Sequence, residues 1–140
     1  LKPVVVDASA AAAWVMPDEP NAAAADLYAQ ACAEEDLFHA PGLWPWEMGN
    51  MLVMGHTRQR LTAAQVEAGL SILGAAHVNL DPPPDAHRQA QAARLALTHG
   101  LTFYDACYLE LVLRLNGQLA SLDRRLLAAA KSCGIVCLSF

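Results

Sequence analysis

Short apolar runs alternate along this chain with longer segments that have the composition of helices. Val4-Val5-Val6 opens the series, and Leu37–Ala40, His77–Leu80, Leu119–Ser121 and Ile135–Leu138 follow at intervals. The stretches between them carry recognisable starts and stops. Ala8–Met16 halts at Pro17, and Asn21 is placed to cap a helix running to about Glu34. A helix over Leu43–Gln59 tolerates Pro45 only in its first turn. Thr62-Ala63-Ala64-Gln65 has the form of a capping box and begins a separate helix. Asp85–Thr98 ends at Gly100, Phe103–Leu115 ends at Gly117, and Arg124–Ser132 completes the set. Short strands separated by helices predict a parallel sheet covered on both faces. Ligands of such sheets sit beyond the carboxyl ends of the strands. Asp7 and Asp123 each follow a strand segment directly, so both fall at that edge.

Composition sets the outer bounds. With 140 residues, the whole chain, 1–140, reads as one domain. It is 55% hydrophobic and 16% charged, enough apolar material for a packed core. Little polar material is left for the surface, which points to apolar contact with another subunit or partner. A net charge of -5 argues against nucleic-acid binding by bulk charge. A local arginine cluster is a different matter. Arg58/Arg60 and Arg124/Arg125 form close pairs, although solvated helix faces explain them as well. Cys32, Cys107, Cys133 and Cys137 form no CxxC pair and read as mostly buried thiols of a reducing compartment. Neither a signal-peptide pattern nor a membrane-length apolar run is present, so the expected location is the cytoplasm.

Four acids stand in surroundings that do not suit them. Asp7 ends the valine run. Glu47 lies within Leu43-Trp44-Pro45-Trp46-Glu47-Met48. Asp105 stands inside Leu101–Leu109, with Leu101 and Leu109 one helical turn to either side. The segment 103–115 is apolar nearly all round and reads as a buried helix. Asp123 closes Gln118–Asp123. An isolated carboxylate near a core costs several kcal/mol or is forced to protonate. Each acid also has an ordinary reading. Asp7 and Asp123 suit helix caps, and Glu47 and Asp105 suit the first turn of a helix, with Thr102 as the cap of the latter. Four such acids together point to a shared cation.

Mg²⁺ and Mn²⁺ prefer oxygen ligands, and the chemistry that needs such a cluster is metal-assisted phosphoryl hydrolysis. Other chemistries fit less well. The five histidines make no zinc spacing, the serines lack a GxSxG elbow, and there is no glycine-rich nucleotide loop. Trp44 and Trp46 read as core or interface residues before they read as base-stacking platforms.

The chain resembles the PIN-domain family, and within it the VapC-type toxins of toxin–antitoxin pairs. Val-Val-Asp7-Ala-Ser9, Pro41–Asn50 around Glu47, Tyr104-Asp105-Ala-Cys-Tyr108 and Leu119-Ala-Ser121-Leu-Asp123 carry the resemblance from Val4 to Leu138. A serine stands at 121 where threonine is common in the family. The resemblance implies a three-layer α/β/α sandwich around a mainly parallel sheet. It implies that Asp7, Glu47, Asp105 and Asp123 are catalytic and bind Mg²⁺ or Mn²⁺, with Ser9 and Ser121 in support. The implied reaction is endonucleolytic cleavage of RNA by a metal-activated water, leaving a 5′-phosphate and a 3′-hydroxyl. The implied partners are RNA, a cognate antitoxin and a second copy of the chain.

Three rival readings weigh against it. A haloacid-dehalogenase-type phosphatase wants a second Asp two residues after the first, where this chain has Ser9. A Mg²⁺-binding receiver domain wants a paired acid after the first strand and a lysine after a late strand. The sole late lysine is Lys131, within a helical segment. A noncatalytic PIN-like interaction protein would use its acids only as caps.

Overall fold

The computed structural model describes residues 2–139. Four strands and seven helices follow in the order β1 (Val4–Val6), α1 (Ala8–Val15), α2 (Ala22–Ala33), β2 (Phe38–Pro41), α3 (Trp44–Thr57), α4 (Ala63–Ala75), β3 (Val78–Asp81), α5 (Ala86–His99), α6 (Phe103–Leu115), β4 (Gln118–Ala120) and α7 (Arg124–Ser132). The sheet is parallel throughout, in the order β3-β2-β1-β4. All three valines of β1 are buried, so both faces of this central strand are covered. On one side α6 packs against β1 and β2, flanked by α5 and α7. The other helical group is α1 with α2, α3 and α4 around it. The result is the three-layer α/β/α sandwich.

Local chemistry accounts for most boundaries. Asn21 caps α2 by accepting from the Ala24 N–H at 3.1 Å. The capping box of α4 is complete, with Thr62 and Gln65 exchanging hydrogen bonds at 2.9 and 3.1 Å. Pro45 occupies the first turn of α3, where its missing N–H costs nothing. Gly100 ends α5 with φ +65°, a left-handed conformation open to glycine at no steric cost. In the core, Trp14 meets Tyr28 and Phe38 edge-on at centroid distances of 5.5 and 6.2 Å.

Four expectations need correction. Ile135–Leu138 is not a strand. It makes one isolated bridge, Cys137 to Leu119, held by hydrogen bonds from the Leu119 N–H to Val136 and from the Leu138 N–H to Leu119. Its approach to β4 is too brief to form a ladder. The stop of α6 is Asn116, not Gly117: Asn116 takes the left-handed conformation at φ 50°. Gly117 is needed for a different reason, because a β-carbon there would lie 2.6 Å from the Pro3 carbonyl oxygen. Helix α6 is not buried all round either. Ala106, Tyr108, Leu109, Leu111 and Val112 are buried, while Tyr104, Leu113 and Arg114 are exposed. Finally, the four cysteines are free and half-buried instead of buried.

Candidate active site

The site grows from the pairing of the two strands at its base. Val6 is in register with Ala120, and the Asp7 N–H continues the ladder to the Ala120 carbonyl at 3.1 Å. That register sets Asp7 beside Ser121. The Ser121 hydroxyl donates to Asp7 Oδ2 at 2.6 Å. Oδ1 accepts from the Ser9 hydroxyl at 2.7 Å and from the Ala10 N–H at 2.9 Å. The two serine oxygens are 3.3 Å apart. Each also accepts from the loop that follows β4, Ser9 from the Leu122 N–H at 2.8 Å and Ser121 from the Asp123 N–H at 3.0 Å. Asp7 and the two serines therefore lock the start of α1 to the start of α7.

Asp123 caps α7, with Oδ1 accepting from the N–H groups of Arg125 and Leu126 at 2.9 and 3.1 Å. Glu47 comes from the first turn of α3 and Asp105 from the first turn of α6. Thr102 caps α6 by accepting from the Asp105 N–H at 3.1 Å. Tyr108, one turn beyond Asp105, is buried and donates its hydroxyl to Glu47 Oε1 at 2.5 Å. Each of the four acids thus lies at the cap or first turn of a helix, where the partial positive charge of the helix end favours an anion. The ordinary cap roles and the cluster coexist in the same residues.

Electrostatics tie the four together. Burial raises the Asp7 carboxyl above the usual carboxylate range, Ser121, Ala10 and Ser9 pull it back, and Asp123 repels it. Burial also raises Glu47. The Tyr108 hydrogen bond opposes that rise, and Asp105 and Asp7 add repulsion. Asp105 is raised by burial and by Asp123. Burial and the Glu47 hydrogen bond push the Tyr108 phenol up. The repulsions close a ring, Asp7 to Asp123 to Asp105 to Glu47 and back to Asp7. Yet among the described residues none of the four is in an ion pair. Several of their oxygens also lack a firm donor. Asp123 Oδ2 and Glu47 Oε2 accept no hydrogen bond among the described residues. The Asp105 carboxylate accepts no hydrogen bond among the described residues, its link to Thr102 running through the backbone N–H.

This donor set fits a hard divalent cation. Among the described residues no three His, Cys, Asp or Glu side chains are close enough to enclose one ion. Mg²⁺ does not require such a cage, because it commonly keeps several waters and takes one or two carboxylates with substrate phosphate.

Two grooves meet at Glu47 and Asn50. One, of about 330 Å³, runs between Ala8, Glu47, Asn50, Met54 and Arg58. The other, of about 760 Å³, is lined by Trp46, Phe103, Tyr104 and the Pro82-Pro83-Pro84 turn among others. Trp44 is buried, as a core residue should be, but Trp46 is 82% exposed at the mouth of the second groove. Of the arginines singled out in the sequence, Arg60 is held by Asp18 and Glu19 at 3.0 and 2.8 Å. Arg124 and Arg125 are exposed in the first turn of α7. Lys131 lies in the last turn of α7, far along the helix from Asp123, where it cannot serve a receiver-type pocket. The partnership of Tyr108 with Glu47 was not foreseen. The spacing of Tyr108 three residues after Asp105 puts the phenol on the Asp105 face of α6, but nothing in it points to Glu47.

Comparison with known proteins agrees with this geometry. The PIN domain model matches residues 4–132. Ribonuclease VapC3 of Pyrobaculum aerophilum is 35% identical over 123 residues, covering 88% of this chain and 91% of the relative. The solved structure of PAE2754 from the same organism superposes with a TM-score of 0.70 at 28% identity, covering 97% of this chain and 83% of that one. The Mycobacterium tuberculosis toxin VapC20, described as cleaving the sarcin-ricin loop, shares the fold with a TM-score of 0.61 at 19% identity. It covers 90% of this chain and 94% of its own. The match across nearly the whole chain, on a parallel sheet with acids at its carboxyl edge, establishes that this chain belongs to the PIN-domain family.

Proposed function

We propose that this protein is a metal-dependent endoribonuclease of the VapC type, a single PIN domain over 1–140 that acts as the toxin of a toxin–antitoxin pair. The observation that carries the reading is the ring of four partly buried, mutually repelling carboxylates with no ion-pair partner among the described residues. The 35% identity to a ribonuclease of this type supports the substrate class.

Asp7, Glu47, Asp105 and Asp123 are the residues that would hold Mg²⁺ or Mn²⁺. A bound divalent ion supplies positive charge for the scissile phosphate and eases deprotonation of the attacking water at neutral pH. The chain's own residues do the rest. Ser9 and Ser121 fix the Asp7 carboxylate in one orientation through both its oxygens. Tyr108 holds Glu47 through one oxygen, Oε1, and leaves Oε2 open. Four helix N-termini converge on the phosphate-binding edge and favour negative charge there.

An antitoxin and a second copy of the chain complete the expected partners. Exposed apolar side chains at Trp46, Tyr104, Val53 and Leu97 support both. No helix among the described residues is long and apolar enough to cross a membrane. The test is to incubate a structured RNA pool with the protein and Mn²⁺, then map the ends. New 5′-phosphate and 3′-hydroxyl ends that vanish with chelator are expected. Ends bearing 2′,3′-cyclic phosphate, or cleavage indifferent to chelator, would reject the reading.

A further inference from the structure

One face of α3 forms a graded track. Glu47, Asn50 and Met54 recur at intervals of three and four residues along one side of α3, and Arg58, the C-cap that follows Thr57 and donates its N–H to the Met54 carbonyl, stands four residues further on. All four line the 330 Å³ groove, which Glu47 shares with the acid cluster. Its lining includes the Glu47 carboxylate, the exposed Asn50 amide, the Met54 thioether and the exposed guanidinium groups of Arg58 and Arg60. Eleven residues separate Glu47 from Arg58, a rise of about 16 Å along a helix. That is the reach of a few extended nucleotides.

The two arginines at the far end differ in kind. Arg60 is committed to Asp18 and Glu19, with its Nε and one terminal nitrogen both on Asp18. Its charge is already answered. Arg58 makes no ion pair and no side-chain hydrogen bond among the described residues, and it is exposed. In an acidic chain, a free guanidinium on a groove that also carries Glu47 is the group best placed to meet a phosphate.

We propose that Arg58 is a positioning residue that anchors an RNA backbone phosphate a few nucleotides from the scissile bond, so that the strand lies along the Glu47–Arg58 face of α3. The inference rests on the ribonuclease reading and adds the strand's path to it. Met54 gives the path an apolar middle against which a base or ribose can rest, and Asn50 offers an amide beside the acids.

The test uses a fluorescein-labelled pool of short random-sequence RNA, read by anisotropy at rising KCl. Asp7→Asn protein is used throughout so that the RNA stays intact. A contact with one phosphate contributes a slope of about -0.7 to the salt dependence of single-strand binding. Arg58→Gln should therefore flatten the slope by about 0.7 and weaken binding about tenfold at low salt. Arg58→Lys should keep the slope, because it keeps the charge. Lys131→Gln, at the far end of α7, should change neither. In the cleaving protein, Arg58→Gln should raise KM and leave kcat in place. Wild-type cleavage together with an unchanged salt slope in Arg58→Gln would overturn this inference alone. RNA that is neither bound nor cut would overturn the ribonuclease reading and this inference with it.

Discussion

Ser121 and Asp7 are 114 residues apart in the chain and 2.6 Å apart in the fold. The contact exists because β1 and β4 pair in parallel with Val6 opposite Ala120, so the residues after them emerge side by side. Ser121 is 1% exposed and serves two partners, donating to Asp7 and accepting from the Asp123 N–H. Ser121→Ala strands both groups away from water. Equilibrium denaturation should show a loss of about 1–3 kcal/mol, and the metal midpoint should rise as Asp7 loses its orientation. An unchanged stability would mean that water replaces the hydroxyl without cost.

The pH dependence of stability follows from the same cluster. Asp7, Glu47 and Asp105 all have carboxyls raised above their ordinary values in the folded protein. A raised acid is protonated more readily folded than unfolded, so it favours folding at low pH. That contribution fades as pH rises from the ordinary carboxylate value through the raised one. Metal-free protein should therefore lose melting temperature as pH rises above the ordinary carboxylate range, and added Mg²⁺ should recover it at neutral pH. A melting temperature that climbs over this range without metal would show that other groups dominate.

Asp105→Asn separates stability from function. It removes one charge from the ring, and Asp105 contributes little hydrogen bonding that the amide would lose. The metal-free variant should melt no lower than the wild type at neutral pH, and should melt higher if repulsion dominates. Its thermal response to Mn²⁺ should disappear, and cleavage should fall by about a hundredfold or more. A variant that keeps the full Mn²⁺ response would remove Asp105 from the metal site.

Tyr108→Phe tests the support under Glu47. The phenol is the sole donor to that carboxylate among the described residues. Its loss should weaken metal binding by about tenfold, read by titration calorimetry, with the fold preserved by circular dichroism. Equal affinity in the two proteins would confine Tyr108 to packing.

Gly117→Ala probes how the fold holds the site. The new β-carbon would approach the Pro3 carbonyl at 2.6 Å, where β4 begins to pair with β1. Overpacking of this kind costs about 1–3 kcal/mol. Thermal melting should report that loss, with activity falling further than stability because β1 carries Asp7.

Much of this was legible in the sequence because it was local. Caps such as Asn21, Thr62 and Asp85 satisfy N–H groups within three residues, so composition alone marks the helix starts. Asp7 and Asp123 could be placed at one edge because Asp7 directly follows β1 and Asp123 follows β4 after two residues, in a parallel sheet. Long-range facts were less accessible. Ile135–Leu138 has the apolar character of a strand, but whether it pairs depends on the room beside β4. The sequence of α6 is apolar nearly all round, yet Tyr104 is 64% exposed because its first turn projects at the groove. The Tyr108–Glu47 bond joins helices 61 residues apart in the chain, and no local rule anticipates such a partner.

Whether the four acids form a metal-dependent ribonuclease centre is decided by cleavage of a structured RNA pool with wild-type and Asp7→Asn protein, purified identically, first with Mn²⁺ and then with chelator. Cleavage by the wild type with Mn²⁺ alone, and by neither protein otherwise, is the expected result. Equal cleavage by the two proteins, or cleavage that survives chelation, would contradict the claim.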